Sequence, residues 1–430
     1  MVELIARTPD GREVAAVVVS IANVERMVMR LYGADMGSND RILTTHVGSL
    51  IRPAQLIAYH EKWQNGEAYD ESAYNDCLKR SVADIVRRQA ETGIDIVSDG
   101  EFGKNISWAR YVLERLSGFE ERAGGVGSIK ATAGKDRRDF AEFYAEFEAE
   151  KGFVGMGKSF AKTGLFYVTG PIEYTGQALM NRDIDNLKSA LVDVQVAGAF
   201  LPVVAPASVA PDRYEQYYES ADESLLAIGA ALHDEYEAII DAGLTLQIDD
   251  AFLATYFDVM VPPHAFSDYY KWAEFRVDVT NEAIKDLPTE RIRYHICWGS
   301  WNGPHTNDVP AKDIITLILK VNAGAYSLEM ANPRHEHEWR IWEKVKLPAD
   351  KILLPGLISH STNVVEHPEL VAERITRLAK LVGRERIIAS ADCGFAQGPF
   401  TRRAHPSIQW AKLKALVDGA DLASAELWGR

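Results

Sequence analysis

Residues 368–394 read PELVAERITRLAKLVGRERIIASADCG, and the fold is decided by what this stretch contains. Val371, Ile375, Leu378 and Val382 recur at helical spacing, so 368–382 should form an amphipathic helix with one apolar stripe. Gly383 then ends the helix. The run 387–392 that follows is apolar and short, which suits a buried strand. It ends in Asp392-Cys393-Gly394, so a thiol stands at the strand's C-terminal edge.

The same alternation repeats outward from residue 41. Strand-like runs occur at 42–45, 95–98, 165–169, 244–249, 292–297, 326–330, 352–357 and 387–392. Helices lie between several of them. In 71–92, Leu78, Val82 and Ile85 share a face before Gly93; in 223–242, Leu225, Ile228, Leu232 and Ile239 do so before Gly243. Eight strands alternating with helices imply an α/β protein with a parallel sheet, and eight strands close a (β/α)8 TIM barrel. A ninth strand-like run, 200–205, is read as an excursion before the helix at 223; a doubly wound open sheet is the alternative. Residues 118–162 fit no strand-helix unit. They carry Gly118, Gly124, Gly125 and Gly127 and then the charged aromatic run 140–147. This long insertion after an early strand would lie over one end of the barrel as a lid, or else be a solvated surface excursion. Thr8-Pro9-Asp10-Gly11 is a turn signal between two apolar runs, so residues 1–38 should hold a small hairpin. They are expected to be a peripheral extension of a catalytic barrel spanning 39–430, with Met36 just ahead of the first barrel strand.

The 430-residue chain carries a net charge of -15, which disfavours nucleic acid and acidic membranes as partners. Arg402-Arg403 is a local basic spot that could still hold an anion. Three cysteines, Cys77, Cys297 and Cys393, are too few and odd in number for a disulfide framework. No run of about 18 apolar residues is present. The apolar run 15–22 follows acidic rather than basic residues, unlike a secretory signal. A cytoplasmic protein acting on small molecules is expected, with self-association left open.

The strand ends carry the chemistry. His295 and Cys297 are two apart, so in a strand they face the same way. Glu329 lies in the otherwise apolar Ser-Leu-Glu-Met, where a carboxylate is costly unless paired or metal-bound. Cys393 ends the last strand. Barrel enzymes gather reactive groups at the C-terminal strand ends, and one imidazole, two thiolates and one carboxylate there make a four-coordinate Zn2+ site. A lone buried cysteine is more often packing, which is the reading for Cys77; convergence of several such features favours the metal. With these ligands zinc carries a net charge of about -1, and exchanging Glu329 for a substrate thiolate leaves that charge unchanged.

These residues resemble the cobalamin-independent methionine synthase family, specifically its C-terminal catalytic barrel and single-barrel paralogues. The resemblance runs from about 41 to 420. It is carried by Thr44-Thr45-His46-Val47-Gly48-Ser49, Ser98-Asp99-Gly100-Glu101, Gln247-Ile248-Asp249-Asp250, His295-Ile296-Cys297, Leu328-Glu329, Gly356-Leu357-Ile358-Ser359-His360 and Asp392-Cys393-Gly394-Phe395. It implies zinc held by His295, Cys297, Glu329 and Cys393. It also implies homocysteine held by Ser49, Glu101 and Asp249, and proton transfer by His360 near the methyl donor. Two carboxylates suit the ammonium group of homocysteine. The expected activity is therefore zinc-dependent transfer of a methyl group, from a 5-methyltetrahydrofolate-like donor to homocysteine, giving methionine. Asp249-Asp250-Ala251 departs from the family, where proline follows the acidic pair, and the second barrel of the long synthase has no counterpart here. Two alternatives stay open: a zinc-dependent thiol alkyltransferase using an epoxide, methyl ether or methylcorrinoid, or another thiol; and a non-catalytic zinc-binding barrel.

Other polar and aromatic residues have plainer readings. His46 should make a structural hydrogen bond. Trp298 and Trp301 either stack on a ligand or pack. His335 and His337 diverge on a helix and suit a helix start better than a second metal site; Arg334 holds a substrate anion or makes a surface ion pair. His305, Asn307 and Asp308 read as turn chemistry. Tyr167, Thr169 and Gly170-Pro171 are expected at a barrel strand end, on the methyl-donor side.

Overall fold

The computed structural model describes residues 2–7, 13–19, 40–124, 133–151 and 164–430. β1 (Val2–Arg7) and β2 (Glu13–Val19) pair antiparallel. The turn at Thr8–Gly11 and Met36 lie outside the described residues, as do 125–132 and 152–163 within the insertion.

The barrel strands are β3 (Leu43–Thr44), β4 (Ile96–Val97), β7 (Gly198–Val204), β9 (Thr245–Asp249), β10 (Ile292–Ile296), β11 (Ala325–Leu328), β12 (Ile352–Ile358) and β13 (Ile388–Ala391). They form one eight-stranded sheet in which every pair is parallel. The ends of that sheet meet: Asp95 N donates to Thr44 O at 3.1 Å, and Thr45 Oγ1 donates to Ile96 O at 2.9 Å. The expected (β/α)8 barrel is thus the fold. Leu43, Ile96, Phe200, Ala325, Leu354 and Ile388 form a small apolar cluster of their own, separate from the large core shared with the helices. Buried Arg293 lies 4.0 Å from the Phe200 ring centroid and donates to Thr45 Oγ1 and His46 O. A fixed cation stacked on an aromatic face, with both terminal guanidinium nitrogens hydrogen-bonded, is tolerated in such a place.

One strand assignment needs correction. Residues 200–205 are not an excursion but the core of β7, the third stave, paired with β4 and β9 and buried through 199–204. Residues 165–169 belong elsewhere: β6 (Leu165–Val168) pairs antiparallel with β5 (Phe119–Arg122) and parallel with β8 (Tyr214–Glu215) in a separate three-stranded sheet. The reason is burial. A stave flanked by sheet on both edges and helices behind must be apolar on both faces, as Phe200-Leu201-Pro202-Val203-Val204 is; β6 is half-exposed along three of its four residues. Tyr167, Thr169 and Gly170-Pro171 therefore do not end a barrel strand.

The helices 71–92 and 368–382 form as expected, Glu71–Thr92 capped by Asp70 and closed by left-handed Gly93 (φ 99°). Cys77 is buried packing. Within 118–162, β5 is followed by the helices Lys135–Asp139 and Ala141–Lys151. Among the described residues no helix is long and apolar enough to cross a membrane.

Candidate metal and thiol site

Sheet register builds the site. His295 on β10 stands beside Asp249 on β9 and Ser327 on β11. Ser327 Oγ lies 3.0 Å from His295 Nδ1, which fixes the ring and leaves Nε2, buried and without a hydrogen-bond partner among the described residues, facing the cavity side. Two residues on, Cys297 faces the same way, and Cys393 arrives from the end of β13. The ligand atoms of His295, Cys297 and Cys393 all lie within 4.8 Å of one another. A hydrogen bond from Cys393 pulls the Cys297 thiol well below its usual range, with His295 adding to the effect, while Cys393 is pushed up.

Glu329 stands beside this trio rather than in it. Its Oε1 accepts from Trp298 N at 3.0 Å and its Oε2 from Asn332 Nδ2 at 2.6 Å. Burial, with Cys297 and Asp392 nearby, raises its pKa well above the carboxylate range. Asp392 Oδ1 accepts from Met330 N and Ala331 N, both at 2.8 Å, and so shapes the turn that carries Glu329. Asp392 fits only because residue 356 is glycine: a Cβ there would sit 2.1 Å from Asp392 Oδ1.

Ser49, Glu101 and Asp249 line the same cavity as His295, Cys297 and Cys393. Ser49 Oγ is buried without a partner among the described residues. Asp249 accepts from Gln247 Nε2 at 2.7 Å, and burial, reinforced by Glu101 and opposed by His295, lifts its pKa to about 7. Glu101 adopts a left-handed φ of 61°, a strained conformation for a residue other than glycine, held by Asp99 Oδ1 accepting from its amide at 2.9 Å. Lys104 Nζ lies 3.1 Å from Glu101 Oε2, both buried. His360 does not line the cavity. Both its ring nitrogens are buried without partners among the described residues, and burial, with Arg403 next, pushes its pKa down to about 3.

Other candidates sort themselves. His46 accepts from Gly48 N and bonds Gln89, a structural role. Trp298 is core, donating to Val309 O; Trp301 lines the cavity and donates to Tyr144 OH at 3.1 Å. Arg403, but not Arg402, lines the cavity. Arg334 donates to Thr306 O from an exposed position. His337 joins no metal-ligating group among the described residues. Three features escaped sequence reasoning. Lys104 and Asp392 had signals, a lysine three past Glu101 and an acid before Cys393. Asp136 of the insertion, which accepts from Thr306 N and Tyr144 OH, had none.

Comparison with known proteins bears on the chain and its fold as a whole. The family description "Cobalamin-independent synthase, Catalytic domain" matches residues 42–135 and 210–420. Methionine synthase of Sulfolobus acidocaldarius is 23% identical over 89% of this chain and 93% of its own length. 2-hydroxypropyl-CoM lyase of Xanthobacter autotrophicus is 22% identical over 91% of this chain and 97% of its own. A B12-independent methionine synthase from Shewanella, solved with selenomethionine, superposes with a TM-score of 0.67 at 18% identity, covering 91% of this chain and all of that one. With the family match spanning well over half of the sequence and the barrel shared, the chain belongs to the cobalamin-independent synthase family, as a member of its catalytic-domain class.

Proposed function

We propose that this protein is a zinc-dependent S-methyltransferase that moves a methyl group from a 5-methyltetrahydrofolate-like donor to homocysteine, giving methionine. The observation that carries the reading is the convergence of His295 Nε2, Cys297 and Cys393 at the C-terminal barrel end, with an orphaned imidazole nitrogen, on one cavity with Ser49, Glu101 and Asp249. One imidazole and two thiols are a donor set that suits zinc. Zinc held there would bind a thiol and keep it ionised near neutral pH. Glu329, already anchored by Trp298 N and Asn332, waits beside the trio as the carboxylate that a thiolate exchanges with. Glu101 and Asp249 accept from the substrate ammonium, and Ser49 Oγ orients it. His360 is given, by the family resemblance, the proton transfer near the methyl donor.

A second reading has one observation in its favour. Glu101 already has an ammonium partner in Lys104. A thiol without an amine, alkylated by another electrophile such as an epoxide, would leave that pair intact. The deciding experiment is a screen of zinc-loaded protein with homocysteine and with an amine-free thiol against several methyl and epoxide donors, reading the thioether by mass. Methionine formation that disappears in Cys393→Ser together with the metal supports the proposal. Turnover in metal-free protein, or thioether formation only from the amine-free thiol, removes it.

A further inference from the structure

Glu101 is held from behind. Lys104 Nζ lies 3.1 Å from Glu101 Oε2, and both side chains are buried. Glu101 lines the cavity and Lys104 does not. The lysine also stands over the Tyr111 ring, 4.3 Å from its centroid. Among the described residues nothing donates a hydrogen bond to the other oxygen, Glu101 Oε1. Glycine at 48 leaves that oxygen room, since a Cβ there would stand 3.1 Å from it.

The backbone fixes this arrangement. Lys104 N donates to Glu101 O at 3.1 Å, which closes the turn between the two residues. Arg52, three residues past Ser49, reaches across to pin it: its Nη2 donates to Glu101 O and, at 3.1 Å, to Lys104 O. A buried carboxylate needs a partner before any ligand arrives, and Lys104 is that partner. A carboxylate has two oxygens that accept independently, so a cation on Oε2 leaves Oε1 open to a second one. The contact therefore favours an amine-free thiol only if a ligand ammonium must displace Lys104 from Oε2. An ammonium on Oε1 leaves the pair intact.

We propose that Lys104 is a positioning residue for amino-thiol selection: it holds Glu101 by Oε2 so that Oε1 meets the substrate ammonium, with Asp249 as the second acceptor. The assignment rests on the homocysteine reading above. Lys104 also serves its surroundings. Burial raises the pKa of both Asp99 and Glu235, and Lys104 is among the cations that oppose the rise. Its loss can thus weaken the wall as a whole, and the test has to separate selection from stability.

The test uses full-length, zinc-loaded protein and isothermal titration calorimetry with two thiols, homocysteine and 4-mercaptobutanoate, which is homocysteine without its amine. The ratio of the two affinities reads the amine alone and needs no methyl donor. Wild type should prefer homocysteine by about tenfold or more, the equivalent of a charge-assisted hydrogen bond. Lys104→Met should lose most of that preference while its affinity for 4-mercaptobutanoate changes little. Lys104→Arg keeps the cation and should keep the preference. Lys104→Gln is made in parallel in case the methionine variant does not fold, and should lose the preference as well. An unchanged preference in the methionine and glutamine variants overturns the proposal. So does an equal loss of affinity for both thiols, which is what a merely structural role gives. Wild-type protein that binds the two thiols alike, or neither, would instead strike the homocysteine reading, and the role of Lys104 with it.

Discussion

Gly356→Ala should damage both stability and metal binding, through its contact with Asp392, the residue before Cys393. The new Cβ would stand 2.1 Å from Asp392 Oδ1, 2.6 Å from Asp392 Cα and 2.9 Å from Asp392 N. Backbone atoms are among those struck, so no rotamer change relieves the clash. Overpacking of this kind costs about 1–3 kcal/mol. If Asp392 is pushed off Met330 N and Ala331 N, each buried amide left bare adds about 1–3 kcal/mol. The loss should therefore fall between about 1 kcal/mol, if Asp392 keeps both amides, and about 9 kcal/mol, if it loses both. Asp392 precedes Cys393, and disturbing groups that orient metal ligands weakens binding by about 10–100-fold. Gly198→Ala is the matched control: it also lies in a barrel strand, but its Cβ meets only Ile96 Cγ2 at 3.9 Å. Guanidinium unfolding midpoints and zinc competition with a chromogenic chelator read the two quantities. Equal stability and equal zinc affinity in the two alanine variants would refute the reasoning.

Tyr144→Phe removes the hydroxyl that joins Asp136 (2.7 Å) to Trp301 Nε1 (3.1 Å), and hydrogen exchange in Ala141–Lys151 should speed up by about tenfold or more, the equivalent of one lost buried bond. Burial disfavours charge on His335, but Asp308 and Glu338 lift its pKa to about 9, above the unfolded value near 6.5. Its stabilisation should therefore be complete below about pH 6.5 and vanish as pH rises through about 9, a basic slope in urea midpoints that His335→Gln should flatten. Gly48→Ala places a Cβ 2.7 Å from Pro202 Cγ and 3.1 Å from Glu101 Oε1 at a φ of 119°; it should raise KM for an amino-thiol more than it lowers kcat, as steady-state kinetics would show.

The barrel was legible where chemistry and periodicity coincide. β10 and β13 read as strands because they are short apolar runs, and their ends announced themselves with His295, Cys297 and Cys393. Glu329 stood out because a carboxylate in an apolar run demands a partner, and it has Trp298 N and Asn332. The third stave was misplaced because nine strand-like runs compete for eight places; Pro202 within Phe200–Val204 adds to the difficulty, since a proline argues against a central strand. Leu165–Val168 gave an equally good local pattern, and only its exposure separates the two. The rest of the site depends on pairings that no spacing encodes. Asp136 reaches Thr306 across 170 positions, and the His305–Asp308–His335 line joins two loops whose polar residues each look like ordinary turns. His360 was legible as a motif residue, but its burial was not.

Zinc K-edge X-ray absorption on the metal-loaded protein, before and after addition of homocysteine, tests the central claim most directly. The account predicts two sulfur scatterers and a histidine nitrogen at rest, and a third sulfur in place of an oxygen once the thiol binds. A coordination shell that keeps two sulfurs and its oxygen in saturating homocysteine would contradict it.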